Sequence, residues 1–121
     1  MILVVDDDAQ ILETIEALLR KAGYEVVTAL NIDNALEVIA TTKELDLALF
    51  DFWLEGKDAV TLFDKFQDQH PGTPFIMMSG GSGDFPILSS DAVARLSGAR
   101  EFLQKPFQRK SLLAMVERLI A

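Results

Sequence analysis

Three consecutive carboxylates stand directly behind the first apolar run of the chain, and other reactive groups follow later apolar runs in the same way. The set comprises Asp6, Asp7, Asp8, Asp51 and Ser79, with Lys105 two residues past the last run. The carboxyl ends of parallel strands meet at one edge of an α/β sheet, and ligand sites gather there. If the apolar runs are strands, these groups come together at that edge.

The residue types in this set could bind a metal ion and transfer a phosphoryl group. Adjacent carboxylates repel one another, and a hard divalent cation such as Mg²⁺ offsets that repulsion through oxygen ligands. We therefore expect Asp6→Asn or Asp7→Asn to raise stability when Mg²⁺ is absent. One carboxylate could attack phosphorus and form an acyl phosphate. The Ser79 hydroxyl and the Lys105 ammonium could then hold the transferred oxygens.

Two alternating hydrophobic periods predict the elements that position these groups. Apolar residues recur at helix spacing in four segments, near residues 11–19, 35–39, 60–66 and 112–120. Between them lie continuous apolar runs, which are typical of strands buried on both faces. The stronger runs are Ile2–Val5, Leu45–Phe50 and Phe75–Met78, and the weaker ones are Tyr24–Leu30 and Glu101–Leu103. This alternation predicts an α/β fold, a three-layer sandwich with a five-stranded parallel sheet.

Local signals mark the ends of the helices. Asp8 is expected to cap the first helix at its N-terminus, and Gly23 is placed to cap it at its C-terminus. Either Asn31 or Asp33 could be the N-cap of the second helix. His70 stands beside a Pro-Gly turn that ends the third, without a second metal ligand nearby, so we expect a solvated side chain. The segment 80–98 gives the weakest prediction, a glycine-rich loop followed by an interrupted helix.

The composition excludes several classes of protein. The 121 residues are half hydrophobic and a quarter charged, which predicts one soluble globular domain over residues 1–121. No cysteine is present, so disulfides, thiolate metal sites and a thiol nucleophile are excluded. A formal net charge of −8 argues against binding of nucleic acid or an anionic membrane by this domain. No signal peptide or bilayer-spanning run is present, so we expect a cytoplasmic location and no membrane insertion.

The chain resembles the receiver domain of two-component response regulators, and the resemblance covers nearly its whole length. Four motifs carry it in order: Leu3-Val-Val-Asp-Asp-Asp8, Phe50-Asp51, Ser79-Gly80 and Gly98-Ala-Arg-Glu-Phe-Leu-Gln-Lys-Pro-Phe107. Each motif alone is weak, whereas all four on five alternating elements are specific. The resemblance implies the flavodoxin-like strand order 2-1-3-4-5.

The resemblance also implies a role for each residue of the acidic site. Asp51 is the phosphoacceptor, while Asp6 and Asp7 hold Mg²⁺ directly or through water. The backbone carbonyl of Trp53 completes the metal shell. Lys105, with Ser79, contacts the phosphoryl group.

A switch and a set of partners follow from the same resemblance. Ser79 and Phe102 form the switch, in which the aromatic ring changes rotamer on activation. The expected partners are a histidine kinase or histidine phosphotransfer protein and an unknown downstream protein or output domain. The domain is not expected to be an enzyme, although it assists its own phosphorylation and dephosphorylation. Whether it stands alone or belongs to a longer regulator is left open.

Two departures from the family pattern leave local geometry open. Glu55 stands where many receivers carry proline, and the interval between Ser79 and Lys105 is longer than usual. The loop after Asp51 and the fourth helix of the family are therefore not predicted in detail. The Trp53 side chain could fill the core, anchor a partner or cover Asp51 as a lid.

Each residue also has a plainer structural interpretation. The three consecutive carboxylates could form a solvated turn, and Asp51 alone is most often a turn residue. Ser79 could begin a glycine turn, and Lys105 could be a surface lysine before a rigid proline. Phe102 alone would more simply be static core.

Other functions fit the sequence less well. A phosphatase of the haloacid dehalogenase type would have an acid two residues after its nucleophile, where this chain has Trp53, and would place that nucleophile on the first strand. A receiver-like module that no longer needs phosphate is disfavoured because every expected side chain is retained. A flavodoxin-like electron carrier would have a Thr/Ser-rich phosphate loop after the first strand, which this chain lacks.

Overall fold

The computed structural model describes residues 1–54, 57–79 and 98–120, with the backbone alone for Trp53, Lys57 and Asp58. Seven strands and four helices lie within these residues. In chain order they are β1 (Ile2–Val5), α1 (Ala9–Lys21), β2 (Val26–Ala29), α2 (Ile32–Thr41), β3 (Leu47–Asp51), β4 (Trp53–Leu54), β5 (Lys57–Asp58), α3 (Val60–Gln69), β6 (Phe75–Ser79), β7 (Glu101–Gln104) and α4 (Arg109–Ile120).

Five of the strands form one parallel sheet in the order β2-β1-β3-β6-β7. Numbered along the chain without the short β4 and β5, this is the order 2-1-3-4-5, as predicted. The register sets Val5 opposite Phe50, and Asp51 opposite Met78. The carboxyl ends of the central strands therefore finish side by side at one edge of the sheet.

Alternate residues of the sheet face two separate cores. In β1, Leu3 and Val5 lie in one core, while Ile2 and Val4 lie in the other. Strands β1, β3 and β6 are buried at every position, which explains their continuous apolar runs. Helices α2 and α3 cover the first core and α1 and α4 the second, with these buried residues: Ala35, Ile39, Leu62, Phe63, Phe66, and Leu12, Ile15, Leu19, Leu112, Val116. The predicted three-layer sandwich is confirmed.

The helix ends follow the local signals. Asp8 is the N-cap of α1, and α1 ends before Gly23, whose φ of +100° is a conformation that favours glycine. Asn31, rather than Asp33, is the N-cap of α2, because its side chain accepts the Asn34 amide at 2.7 Å.

Some strand predictions differ from the structure. The strand predicted over Leu45–Phe50 runs from Leu47 to Asp51. Leu45 lies in the preceding loop, and because its side chain is buried there, it lengthens the apolar run from which the strand was predicted. The two-residue strands β4 and β5, which pair antiparallel directly after β3, were not predicted, since two residues carry no readable periodicity. The predictions for Glu55 and for the 80–97 segment lie outside the described residues.

The prediction of a solvated His70 is wrong. Its side chain is buried, stacks on Phe66 with a centroid distance of 5.4 Å, and bonds the carbonyl of Ile39 through Nε2 at 2.8 Å. A carbonyl can only accept, so Nε2 carries the proton. His70 therefore ties the end of α3 to the last turn of α2.

Candidate functional site

Four strand ends bring the predicted residues together. Asp6 directly follows β1, Asp51 and Ser79 are the last residues of β3 and β6, and Lys105 directly follows β7. The Lys105 ammonium lies 2.5 Å from Asp6 Oδ2 and 3.5 Å from Asp51 Oδ1. Carboxylate oxygens of Asp6, Asp7 and Asp51 lie within 4.8 Å of one another. The structure therefore assembles the acidic site that strand order predicts.

Backbone hydrogen bonds extend the sheet past its strand ends and hold these residues in place. The amide of Asp6 donates to Ala29 at 3.2 Å, and the amide of Lys105 donates to Ser79 at 2.7 Å. Directly after β3, the amide of Phe52 donates to the carbonyl of Met78 at 2.9 Å. The reactive side chains thus project from rigid backbone, which suits a site that works by positioning.

Asp6 is held by a different group at each of its two carboxylate oxygens. Oδ1 accepts the backbone amide of Asp8 at 3.0 Å, and Oδ2 accepts the ammonium of Lys105. The side chain is only 1% exposed. A buried charge is tolerated when it is paired and hydrogen-bonded, and Asp6 meets both conditions.

Asp51 lies in a less favourable environment. The pKa of Asp51 is raised from 3.8 to about 7, first by burial and then by the negative charges of Asp6 and Asp7, and Lys105 only partly opposes these effects. At neutral pH the folded protein therefore holds a carboxylate whose ionised form is poorly stabilised.

Lys105 shows the opposite balance. Burial alone would lower the pKa of its ammonium, but the hydrogen bond to Asp6 and the charges of Asp6 and Asp51 outweigh burial and raise it. Lys105 therefore stays charged and supplies a fixed positive charge between two carboxylates.

The carboxylates fit a hard divalent cation. Asp6 and Asp51 are buried and Asp7 is exposed, so the group opens toward solvent on one side. Oxygen ligands of this kind are those that Mg²⁺ prefers. The three carboxylates line an open pocket whose lining also includes Gln10, Thr14 and Phe107.

Residues 2–117 match the family model of the response regulator receiver domain. The chain belongs to the response regulator receiver domain family. Receiver domains are regulatory phosphoacceptors of two-component signalling rather than enzymes in the ordinary sense, and aspartyl phosphorylation and Mg²⁺ dependence are general properties of the family. Within the described residues, no helix of this receiver combines the length and the apolar character required to cross a bilayer.

Regulators and solved receivers resemble this chain along its length. It is 33% identical to the nitrogen assimilation regulatory protein NtrX of Azorhizobium caulinodans over 98% of the chain, and 35% identical to the DNA-binding transcriptional regulator NtrC of Escherichia coli, again over 98%. It spans 26% and 24% of those two proteins, about a quarter of each. The crystal structure of the NtrX receiver domain from Brucella abortus superposes with a TM-score of 0.85 at 34% identity, covering 99% of this chain and 98% of that one.

The switch residues lie where strand order places them. Ser79 is 1% exposed at the end of β6, and Phe102, in the neighbouring β7, is half-buried and packs against the core covered by α2 and α3. Their roles in switching remain predictions. Trp53 opens β4 two residues beyond Asp51, and metal ligation by its carbonyl also remains a prediction. The three interpretations of its side chain lie outside the described atoms.

Sequence reasoning missed how this receiver holds Asp6. It placed Lys105 at the phosphoryl group, a role that remains a prediction, and it did not predict the close pairing of Lys105 with Asp6. It also missed the amide of Asp8. An aspartate followed two residues later by a helix N-cap is the signal that could have found this turn, because aspartate side chains commonly accept the amide two residues on.

Proposed function

We propose that this receiver accepts a phosphoryl group on Asp51 from a histidine kinase or histidine phosphotransfer protein, with Mg²⁺, and that the modification switches a partner-binding surface. The observation that carries the proposal is the environment of Asp51. Its carboxylate lies within 4.8 Å of two other carboxylates and 3.5 Å from an ammonium, at the carboxyl ends of the parallel strands. The metal ion, the Asp51 nucleophile and the Lys105 ammonium, which would contact a phosphoryl oxygen, would all meet at this point.

The transfer would proceed by attack of an Asp51 carboxylate oxygen on the phosphorus of a phosphohistidine. The new O–P bond forms as the P–N bond breaks, and the histidine nitrogen keeps the electron pair and later takes a proton. When bound by Asp6, Asp7 and Asp51, Mg²⁺ would supply positive charge that favours the ionised nucleophile and offsets phosphoryl charge. Lys105 would hold a transferred oxygen, and its raised pKa supports a permanent charge in that role.

The switch would couple this chemistry to packing. The Ser79 hydroxyl would move toward the phosphoryl oxygens, and the ring of Phe102 would enter the space vacated. Two features support this proposal: β6 and β7 are paired neighbours, and Phe102 sits opposite Met77 in their register. Ser79→Ala should accept phosphate but lose the chemical-shift response around Phe102, and equal responses in both proteins would refute the coupling.

The wider setting belongs to the same proposal. NtrX and NtrC are regulators about four times as long as this chain, so a downstream output is expected for which this receiver is the input. The chain would form a single receiver domain over residues 1–121. It would act in the cytoplasm, where a kinase can reach it, without binding nucleic acid itself, as its charge of −8 suggests.

Intact-mass spectrometry after incubation with acetyl phosphate tests the proposal. Wild type with Mg²⁺ should gain one phosphoryl group, and omission of Mg²⁺ or the change Asp51→Asn should abolish the gain. Asp64→Asn, on the exposed face of α3, is the matched control and should behave as wild type. Undiminished, hydroxylamine-sensitive labelling of Asp51→Asn would reject Asp51 as the acceptor. No labelling of wild type would favour a phosphate-independent binding module.

A further inference from the structure

The third carboxylate of the opening triplet, Asp8, has no role in the proposed phosphoryl chemistry. It is exposed, and its oxygens are not among the three groups that lie close enough to share a metal. It nevertheless bonds in two directions. Its side-chain Oδ1 accepts the amide of Gln10 at 2.9 Å and that of Ile11 at 3.4 Å, while its own amide donates to Asp6 Oδ1 at 3.0 Å.

These two sets of bonds form a chain from the helix to the metal site. The cap fixes the backbone of Asp8 in an extended conformation, with φ −93° and ψ 107°. A residue held in this way has a fixed amide direction, and that amide occupies Oδ1 of Asp6. The other oxygen, Oδ2, is then left facing Lys105 and the shared pocket. Since Asp6 is only 1% exposed, water has little access to replace the amide.

We propose that Asp8 is a positioning residue for Asp6: by capping α1 it holds the amide that orients the Asp6 carboxylate toward the metal. The inference rests on the proposed function, because it assumes that Asp6 binds Mg²⁺. It differs from a simple effect of charge. Capping requires a hydrogen-bond acceptor rather than a negative charge, so asparagine can replace aspartate as a cap while alanine cannot.

Calorimetric titration with Mg²⁺ at physiological ionic strength separates these causes. Asp8→Ala should weaken Mg²⁺ binding by about tenfold, as the loss of groups that orient metal ligands typically does. Asp8→Asn should stay within about threefold of wild type, because it keeps the cap and the screened charge contributes little. Equal weakening by both variants would assign the effect to charge and overturn the inference.

Asn31→Ala is the matched control for a general loss of stability. Asn31 caps α2 with one comparable bond and is not among the described residues that line the acidic pocket. This variant should lose stability as Asp8→Ala does, because each substitution removes a helix cap, and it should bind Mg²⁺ as wild type does. Reduced Mg²⁺ affinity in Asn31→Ala would mean that any cap loss has this effect, which also overturns the inference.

The amide proton shift of residue 8 provides a readout that does not depend on metal. Without Mg²⁺, a bond to a carboxylate should move it downfield in wild type and Asp8→Asn but not in Asp8→Ala. The same shift in all three would refute positioning even if the proposed function holds. If wild type binds no Mg²⁺ at all, the proposed function fails and the inference fails with it.

Discussion

Asp51 at one end of the molecule and His70 at another are both buried polar side chains, yet their surroundings differ in kind. His70 donates a hydrogen bond through Nε2 to the Ile39 carbonyl and stacks on Phe66, so its buried ring has matching partners. Asp51 faces two other carboxylates, and its pKa rises to about 7. A satisfied buried polar group contributes to stability, whereas a poorly stabilised one marks the place where a ligand is expected to bind.

The largest effect should come from removing the unfavourable charge at Asp51. Between about pH 4 and 7 the folded protein binds more protons at Asp51 than the unfolded chain does, so this group's stabilising contribution is lost as pH rises through 7. We expect Asp51→Asn to be more stable than wild type at pH 8 without Mg²⁺, by up to about 4 kcal/mol.

Urea unfolding in EDTA at pH 4 and pH 8 measures this difference. The gain should be small at pH 4, where wild-type Asp51 is protonated, and should shrink at pH 8 when Mg²⁺ is added. The same gain at both pH values would show that ionisation of Asp51 is not its cause.

Substitution of His70 is expected to change stability in the opposite direction, that is, to lower it. His70→Ala removes the donor to Ile39 and opens a cavity beside Phe66, so it should destabilise the protein by about 2–4 kcal/mol. Mg²⁺ affinity and phosphorylation, measured on the folded fraction, should be unchanged. A loss of Mg²⁺ affinity would erase the distinction between the two buried groups.

Asp6 provides a third case for the comparison. It is acidic like Asp51, but its side chain has hydrogen-bond partners, as the side chain of His70 does. Sequence reasoning expects either Asp6→Asn or Asp7→Asn to stabilise the metal-free protein. The structure separates them, since Asp6 pairs with half-buried Lys105 and accepts the Asp8 amide. We expect Asp6→Asn to lose about 1–3 kcal/mol, and the exposed Asp7→Asn to gain slightly. Both should weaken Mg²⁺ binding, and a clear stabilisation by Asp6→Asn in EDTA would contradict this account.

The fold and the members of the site could be predicted because β1, β3 and β6 are buried on both faces. Their continuous apolar runs, each closed by a polar residue, fix where Asp6, Asp51 and Ser79 lie along the chain. Parallel strand order then brings those residues together.

The pairings within the fold could not be predicted in the same way. Lys105 contacts Asp6 across 99 positions of sequence, and His70 contacts Ile39 across 31. Such partners depend on how helices and strand ends pack, and no local pattern records them. The short β4–β5 pair could not be predicted either, because each strand has only two residues and so carries no readable periodicity.

The ionisation of Asp51 is the most direct measure of the central claim. Carbon-13 NMR of the Asp51 side-chain carboxyl, followed against pH without metal, should show a midpoint near 7. Saturating Mg²⁺ should move that midpoint to well below its metal-free value, because a bound cation favours the ionised form. Asp33, exposed on α2, serves as the internal reference in the same spectra. A metal-free midpoint near 4 for Asp51, unmoved by Mg²⁺, would contradict the account.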